Sequence, residues 1–534
     1  MVANLGAMVQ SVGAGWAMAD LGGSPLMIAL VQASASLPIL LLALPAGALA
    51  DSRDRRSVML AAQWIMLVVS GLLTACAATG MLSPWLLLAF TFLVGCGLAL
   101  KTPAWQAVVG EMVPRPALAA AITMNSMGYN LARSLGPALG GMLVAAFGAA
   151  AAFLANTLSY VGLIAVLARW RRPAPSSDLP RERMFAAMMD GLAYVSASPI
   201  LQRLLARGTM FATPACALLA LLPVVARQGL SGGPLTYGLL LGAYGSGAVL
   251  GAVIIGPLRR RRSPELVTTL ATLAMAAGAA GVGLADTVWL ALPACALGGA
   301  GWMVALAMFN VAVQMSSPNW VLARSLALYH MSAFGGMALG SALFGVAADA
   351  WGLRSALLIA ACALAANLVC RRWLPLPDGT PADLAPDDGL TAPSPALSLI
   401  DETGPLTISI AYRIPEDRKA RFLAVIREQH RICRRDGARR WRLSRDIADP
   451  EIWIEHYMTS NWSDYLRHNR RRTLADISIT QTLLKLHAGS HPPQVQRTVE
   501  QFLPAAACPG SRIPDFSVFS SSDTALSRGP SSRL

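Results

Sequence analysis

Charge is what this chain lacks. Of its 534 residues only 13% are Asp, Glu, Lys or Arg, whereas soluble domains average about 25%. Acid is scarcer than base, at 29 residues against 43, and the net charge is +14. No acid sits deep in any of the long apolar runs. Most of the charge lies after residue 400 or in short stretches between those runs, which excludes a soluble globular reading of residues 1–375. In a chain with such runs, excess Lys and Arg mark topology rather than nucleic-acid binding. Metal-binding spacing is also missing. None of the eight cysteines (Cys76, Cys96, Cys216, Cys295, Cys362, Cys370, Cys433 and Cys508) forms a C-x-x-C pair, and the first five lie in or near apolar segments. They read as small buried hydrophobes, so no metal, disulfide or cofactor is expected. A charged leader is absent too. The chain starts inside the apolar stretch Met1–Met18, and no cleavable signal peptide is read.

What is present is a series of apolar runs. About 20 apolar residues span a bilayer. Runs fall at 1–18, 25–50, 57–79, 84–104, 117–146, 147–169, 201–226, 235–256, 264–285, 288–313, 321–346 and 352–374, and predict twelve membrane helices. Arginine and lysine are unevenly shared among the loops. One side carries Arg53, Arg55, Arg56, Lys101, Arg115, Arg169, Arg171, Arg172, Arg181, Arg183, Arg259 to Arg262, Arg324, Arg371 and Arg372; the other has only Arg227 and Arg354. The positive-inside rule places the first set, and with it both termini, in the cytoplasm. Arg169–Pro199 becomes a long central cytoplasmic loop.

An internal repeat divides the runs. Leu21-Gly-Gly-Ser-Pro25-Leu recurs as Leu230-Ser-Gly-Gly-Pro234-Leu, 209 residues later. Each copy opens a run that ends in an arginine cluster and then a serine, Ser57 or Ser263. The offset suits two related halves, about 1–169 and 200–375, with a substrate path at their interface. Residues 376–405, rich in Pro, Asp, Ser and Thr, read as a linker. Residues 406–500 read as a soluble α+β domain. Strands are expected at Thr407–Tyr412, Arg439–Asp446 and Ile452–Met458, helices at Glu416–Arg435 and Asn461–Leu474, and a last strand at Ile477–His487. The order β-α-β-β-α-β is the ferredoxin-like arrangement. The tail 501–534, rich in Ser and Pro, reads as disordered.

Two stretches carry the sharpest chemistry. Gly47-Ala-Leu-Ala-Asp51-Ser-Arg-Asp-Arg55-Arg56 is a charged hairpin between the second and third runs; a carboxylate near a helix N-terminus is favoured by the macrodipole. In the fifth run, Gly136-Pro137-Ala-Leu-Gly140-Gly141 offers small residues that let helices approach closely, and a proline that can bend the helix. Arg133, four positions before that proline, is costly inside a membrane unless it faces a wet cavity or finds a partner, and either an anionic solute or neighbouring polar groups would serve. Gln10, Gln32, Asn125 and Asn130 hold helices together or meet solute, and His330 titrates near neutrality when unperturbed. His456, His468, Tyr457 and Trp453 are candidates to line a pocket in the C-terminal domain.

The hairpin resembles the signature loop of the major facilitator superfamily, G-x-L-A-D-x-x-x-R-R/K. The fifth-run string is similar to that superfamily's antiporter motif, with Ala132 in place of its first glycine. Asn4-Leu-Gly, Gln10-Ser-Val, Ala29-Leu-Val-Gln, Leu44-Pro-Ala-Gly47 and Pro103-Ala-Trp-Gln resemble the enterobactin-exporter and macrolide-efflux branch, over essentially all of 1–375. Ser52 and Asp54 depart from the general consensus. Arg439-Arg-Trp, Asp446–Pro450 and Trp462-x-x-x-Leu-Arg-x-His468 resemble the antibiotic-biosynthesis-monooxygenase-like domain. These resemblances imply a multi-pass bacterial inner-membrane protein of two six-helix halves followed by a ferredoxin-like domain. They imply a secondary exporter of a small hydrophobic or siderophore-like molecule, proton-coupled, with Gly47, Asp51, Arg55 and Arg56 in the inner gate and no enzymatic step. A membrane-tethered ligand-sensing or monooxygenase-like module is the alternative. The expected partners are the solute, the lipid bilayer, protons and a second copy paired through the C-terminal domain; nucleic acid is not among them.

Overall fold

A computed structural model of the chain describes residues 2–112, 118–170, 184–318, 320–377, 404–471 and 473–500. Most of the expected linker and all of the expected disordered tail lie outside the described residues.

Long apolar runs become long helices because a backbone in lipid must satisfy its own hydrogen bonds. A first group holds α1 (Val2–Asp20), α2 (Pro25–Ser52), α3 (Arg55–Ala78), α4 (Pro84–Met112), α5 (Leu118–Phe147) and α6 (Ala149–Arg169). A second holds α8 (Pro199–Val224), α9 (Pro234–Arg261), α10 (Pro264–Leu284), α11 (Val288–Met315), α12 (Leu322–Trp351) and α13 (Leu353–Ala366). Among the described residues ten helices are long and apolar enough to cross a membrane. Twelve were expected, and α1 and α5 occupy the two remaining positions as helices. α1, with Asn4 and Gln10 among its 19 residues, is less apolar than the ten, and the apolar stretch described within α5 is Leu135–Phe147.

The local signals are consistent with the boundaries. Proline stands in the first turn of α2, α8, α9 and α10, where its missing N–H costs nothing. The two repeat copies, Pro25 and Pro234, begin helices of 28 residues each, and both helices end on an extended arginine, Arg53 or Arg262. The packing repeats as well. In the first group α1 pairs with α5, α2 with α4, and α3 with both α4 and α6; in the second α8 pairs with α12, α9 with α11, and α10 with both α11 and α13. The two most extensive contacts between the groups are α2 with α12 and α5 with α9. Exchanging the groups converts one of these pairs into the other.

The stretch expected as a central loop contains another helix, α7 (Met184–Ala197). At 14 residues it is too short to span. Its apolar residues Tyr194 and Val195 are buried, and it packs on α2, α8 and α12.

After the helices comes a four-stranded antiparallel sheet of β1 (Leu406–Arg413), β2 (Arg439–Arg445), β3 (Ile452–Thr459) and β4 (Gln494–Val499), in the order β2-β3-β1-β4. α14 (Lys419–Arg435), α15 (Trp462–Arg470) and α16 (Leu474–Leu486) cover one face. Phe422 and Ile426 of α14 meet Leu483 and Leu486 of α16 over Tyr412. The last strand therefore lies at 494–499, not at Ile477–His487. Those residues are helix α16, because Thr473 and Asp476 form a reciprocal capping box and apolar residues recur at helical spacing. The helix expected at Asn461–Leu474 ends at Arg470, and α16 starts at Leu474.

Candidate functional site

The two helix groups meet most tightly at the end that is poor in arginine. Asp349, near the end of α12, accepts hydrogen bonds from Ser24 Oγ at 3.1 Å and from the Leu26 backbone N–H at 3.3 Å. It thus caps α2 from across the interface, where the helix dipole favours a negative charge. Asp20 pairs with Arg227 at 3.2 Å; both side chains are exposed, so this pair adds little by itself. Below them Gly345 of α12 lies against Leu26 and Ala29 of α2, and Gly335 lies against Leu40.

The small-residue string of α5 forms the other contact. Cβ atoms at Gly136 and Gly140 would run into Met8 and Val9 of α1. Gly141 faces across the groups: a Cβ there would stand 2.8 Å from the Cα of Gly238 in α9. One at Gly238 would stand 2.8 Å from the Pro137 carbonyl oxygen. Glycine at 141 and 238 is what allows α5 and α9 to touch backbone to backbone.

The polar residues within the helices divide into distinct environments. Gln10 is buried in a knot between α1, α3 and α6. Its Oε1 accepts from Ser70 Oγ at 3.1 Å and from Asn156 Nδ2, which also donates to the Tyr160 hydroxyl at 2.9 Å. The knot continues through Thr157 to Ser70 and Thr74. Gln32 donates to Ser36 one turn along the same helix. His330 lies between the rings of Tyr329 and Phe334, with centroids 5.4 and 6.3 Å away. These three sites are not brought together. Arg133, Asn125 and Asn130 lie on α5, and their side chains lie outside the described residues.

In the hairpin, Gly47 and Asp51 belong to the last turns of α2, and the Asp51 side chain lies outside the described residues. The carboxylate at the helix N-terminus is instead Asp54, which caps α3 by accepting from Ser57 N at 3.0 Å and Ser57 Oγ at 2.8 Å. The Asp-x-x-Ser spacing was the available signal. Arg55 opens α3. Arg56 reaches the end of α6, donating to the carbonyls of Leu167 at 2.9 Å and Ala168 at 2.7 Å. Helix ends leave such carbonyls without intrahelical partners.

One ion pair went unread in the sequence. Arg207 of α8, nearly buried, grips both oxygens of Glu265 at 2.6 and 2.9 Å, and also donates to the Leu374 carbonyl. Glu265 in turn accepts from the Leu376 N–H at 3.0 Å. Its signal was an acid just after Ser263-Pro264, in the first turn of α10.

In the sheet domain the expected pocket residues fall on opposite faces, because successive strand residues alternate. His456 stands on the uncovered face between Ser409, at 2.9 Å, and Ser444, at 3.1 Å. Burial, then the Arg442 charge, lowers its affinity for a proton. Trp453, Tyr457 and buried Glu455 face the helices, with Glu455 accepting from Tyr412 at 3.1 Å and Trp441 at 2.7 Å. His468 lies beside Tyr457. Among the described residues no group of His, Cys, Asp and Glu could hold a metal ion.

Comparison with known proteins agrees with this architecture. Residues 1–503 match the family described as transmembrane secretion effector, a match that runs through the helices and the sheet domain. An uncharacterised major facilitator-type transporter of Bacillus subtilis (strain 168) is 28% identical, over 65% of this chain and 84% of its own. The multidrug efflux pump Tap of Mycolicibacterium fortuitum is 26% identical, over 64% of this chain and 86% of its own. The staphyloferrin A transporter of Staphylococcus aureus (strain NCTC 8325 / PS 47) is 27% identical, over 30% and 41% respectively. The crystal structure of a mutant of the nucleoside transporter NupG shares the helical fold, with a TM-score of 0.58 at 10% identity, over 70% of this chain and 96% of that one. The chain belongs to the transmembrane secretion effector family, whose matched relatives are transporters and not enzymes, and is a multi-pass membrane transporter of the major facilitator type.

Proposed function

We propose that this transporter is a secondary exporter, in the bacterial inner membrane, of small hydrophobic or siderophore-like molecules. It works by alternating access of two six-helix halves, residues 1–169 and 200–375, coupled to protons. The observation that carries the reading is the direct contact between the helix groups at the arginine-poor end. Asp349 caps α2 and Gly141 meets Gly238 at the arginine-poor end, an arrangement suited to a closed outer gate. The arginine-rich end, with both termini, is then cytoplasmic, and Asp51, Arg55 and Arg56 belong to the inner gate. Kinship with an efflux pump and a siderophore transporter supports the direction and the cargo class. Arg133 is the proposed anion-facing residue of the path.

The sheet order β2-β3-β1-β4 supports a ferredoxin-like reading of residues 406–500, and its uncovered face suits pairing with a second copy. The experiment uses everted vesicles containing the full chain. A panel of macrolides, dyes and ferric-chelating carboxylates is offered under an imposed proton gradient. Gradient-dependent accumulation is expected; none across the panel, with normal insertion, overturns the export reading.

A further inference from the structure

The sheet domain presents a cationic edge to the transporter. Arg431 Nε of α14 donates to the Ala197 carbonyl at 3.1 Å. Ala197 is the last residue of α7, so the arginine supplies a partner to an exposed helix end. The guanidinium of Arg471 lies 4.3 Å from the ring centroid of Trp320, in the loop between α11 and α12. The Arg435 guanidinium lies 5.6 Å from the ring of Tyr194 on α7, and Tyr194 meets Trp320 edge to face at 5.4 Å. Two arginines and two aromatic rings therefore interlock along this edge.

The prongs are held in place before they dock. Arg435 is gripped by Asp436 at 2.9 Å and Asp476 at 2.7 Å. Arg471 Nη1 donates to the Asp436 carbonyl at 3.0 Å. Burial pushes the Asp436 carboxyl up to about 6, with Arg435 pulling against it. Burial likewise pushes the Tyr194 hydroxyl up to about 12. An immobilised guanidinium loses less entropy on stacking than a free one.

What is gripped matters for alternating access. α7 packs on α2 of the first group and on α12 of the second. Gly191 of α7 lies directly on the Arg324 side chain in the first turn of α12. The α2–α12 contacts described above occupy the arginine-poor end and the middle of the pair. At the arginine-rich end α7 contacts both helices, with the sheet domain beneath it. For that end to close, α7 and the α11–α12 loop must move against each other or against the domain that clasps them.

We propose that the cationic edge of the C-terminal domain is an intramolecular docking surface for α7 and the α11–α12 loop, and that docking holds the transporter with its arginine-poor end closed. Release of the domain frees the opposite end to close. The proposal rests on the alternating-access reading, and one experiment separates the two. In the full chain, reconstituted in lipid with native cysteines replaced, spin labels at Arg262→Cys and Ala420→Cys report docking. Separately, Ala29→Cys, buried against Gly345, reports opening of the arginine-poor end to a membrane-impermeant maleimide.

Arg471→Ala with Arg431→Ala is expected to lengthen the label separation and to raise Ala29→Cys labelling at least about threefold, the range of an exposed cation–π contact. Trp320→Leu, which leaves the domain's own fold untouched, is expected to do the same from the other side. Unchanged separation in both variants overturns the docking surface. Longer separation with unchanged labelling, in a protein whose labelling still responds to an imposed proton gradient, overturns the clamp alone. Labelling that responds to neither overturns the alternating-access reading beneath it.

Discussion

The two ends of the helical bundle are joined in different ways. At the arginine-poor end the groups touch directly, through a carboxylate on a helix start and two facing glycines. At the arginine-rich end α7 intervenes, with the sheet domain clasping it. The exchange symmetry of the helix pairs favours neither end. The preference for one arrangement must therefore come from the parts that break the symmetry: Asp349, α7 and the C-terminal domain.

The largest effect is expected from breaking the direct contact. Gly238→Val places two methyl groups where the Gly141 backbone stands, and overpacking of this kind costs about 1–3 kcal/mol. Transport in vesicles should fall at least about tenfold at normal expression; retained transport would show that the backbone contact is dispensable. Asp349→Ala removes one charged cap, for which about 1 kcal/mol is typical. Labelling of Ala29→Cys should rise about fivefold, while Asp349→Asn, which keeps an acceptor, should fall between the two.

On the other end, Arg56→Ala strips two carbonyls at the end of α6. A drop of a few degrees in the melting temperature of the full chain is expected, since hydrogen bonds to charged groups are worth about 1.5–3 kcal/mol before solvent screening. Arg56→Lys should recover part of it.

The smallest effect concerns the sheet domain and acid. His456 and His430 both have proton affinities lowered in the fold, chiefly by burial and then by Arg442 and Arg434 respectively. The unfolded chain therefore binds protons more readily, so the stabilising contribution is present above the unfolded value of about 6.5 and is lost as pH falls below it. Melting of the sheet domain within the full chain should shift down between pH 7 and 5.5, and less so in His456→Gln. An unchanged shift in that variant would move the effect to other groups.

Much of this was legible in the sequence. Apolar runs, proline starts and arginine ends place the long helices within a few residues, because in lipid the backbone has a single local solution. The repeat at Pro25 and Pro234 announces the equivalence of α2 and α9. Less legible was whatever depends on a partner distant in sequence. Gln10 reads alike whether it faces solute or knots α1 to α6, and only the neighbouring Ser70 and Asn156 decide. Asp349 stands near a helix end; its role comes from Ser24, 325 residues earlier in the chain. Ile477–His487 misled because Ile477 and Ile479 favour strands, while the Thr473–Asp476 cap set the helix. α7 was hidden because it is too short to span and its burial depends on α2 and α12.

The cap on α2 has a consequence for biogenesis. Ser24 and Asp349 are 325 residues apart, so the second helix is inserted long before its cross-chain acceptor is synthesised. Until α12 arrives, the start of α2 must rely on Ser24 and on the water and headgroups of the membrane surface. A ribosome-stalled chain ending before residue 349 is thus a transporter whose latch has only one half, and the synthesis of α12 completes the seal at the start of α2.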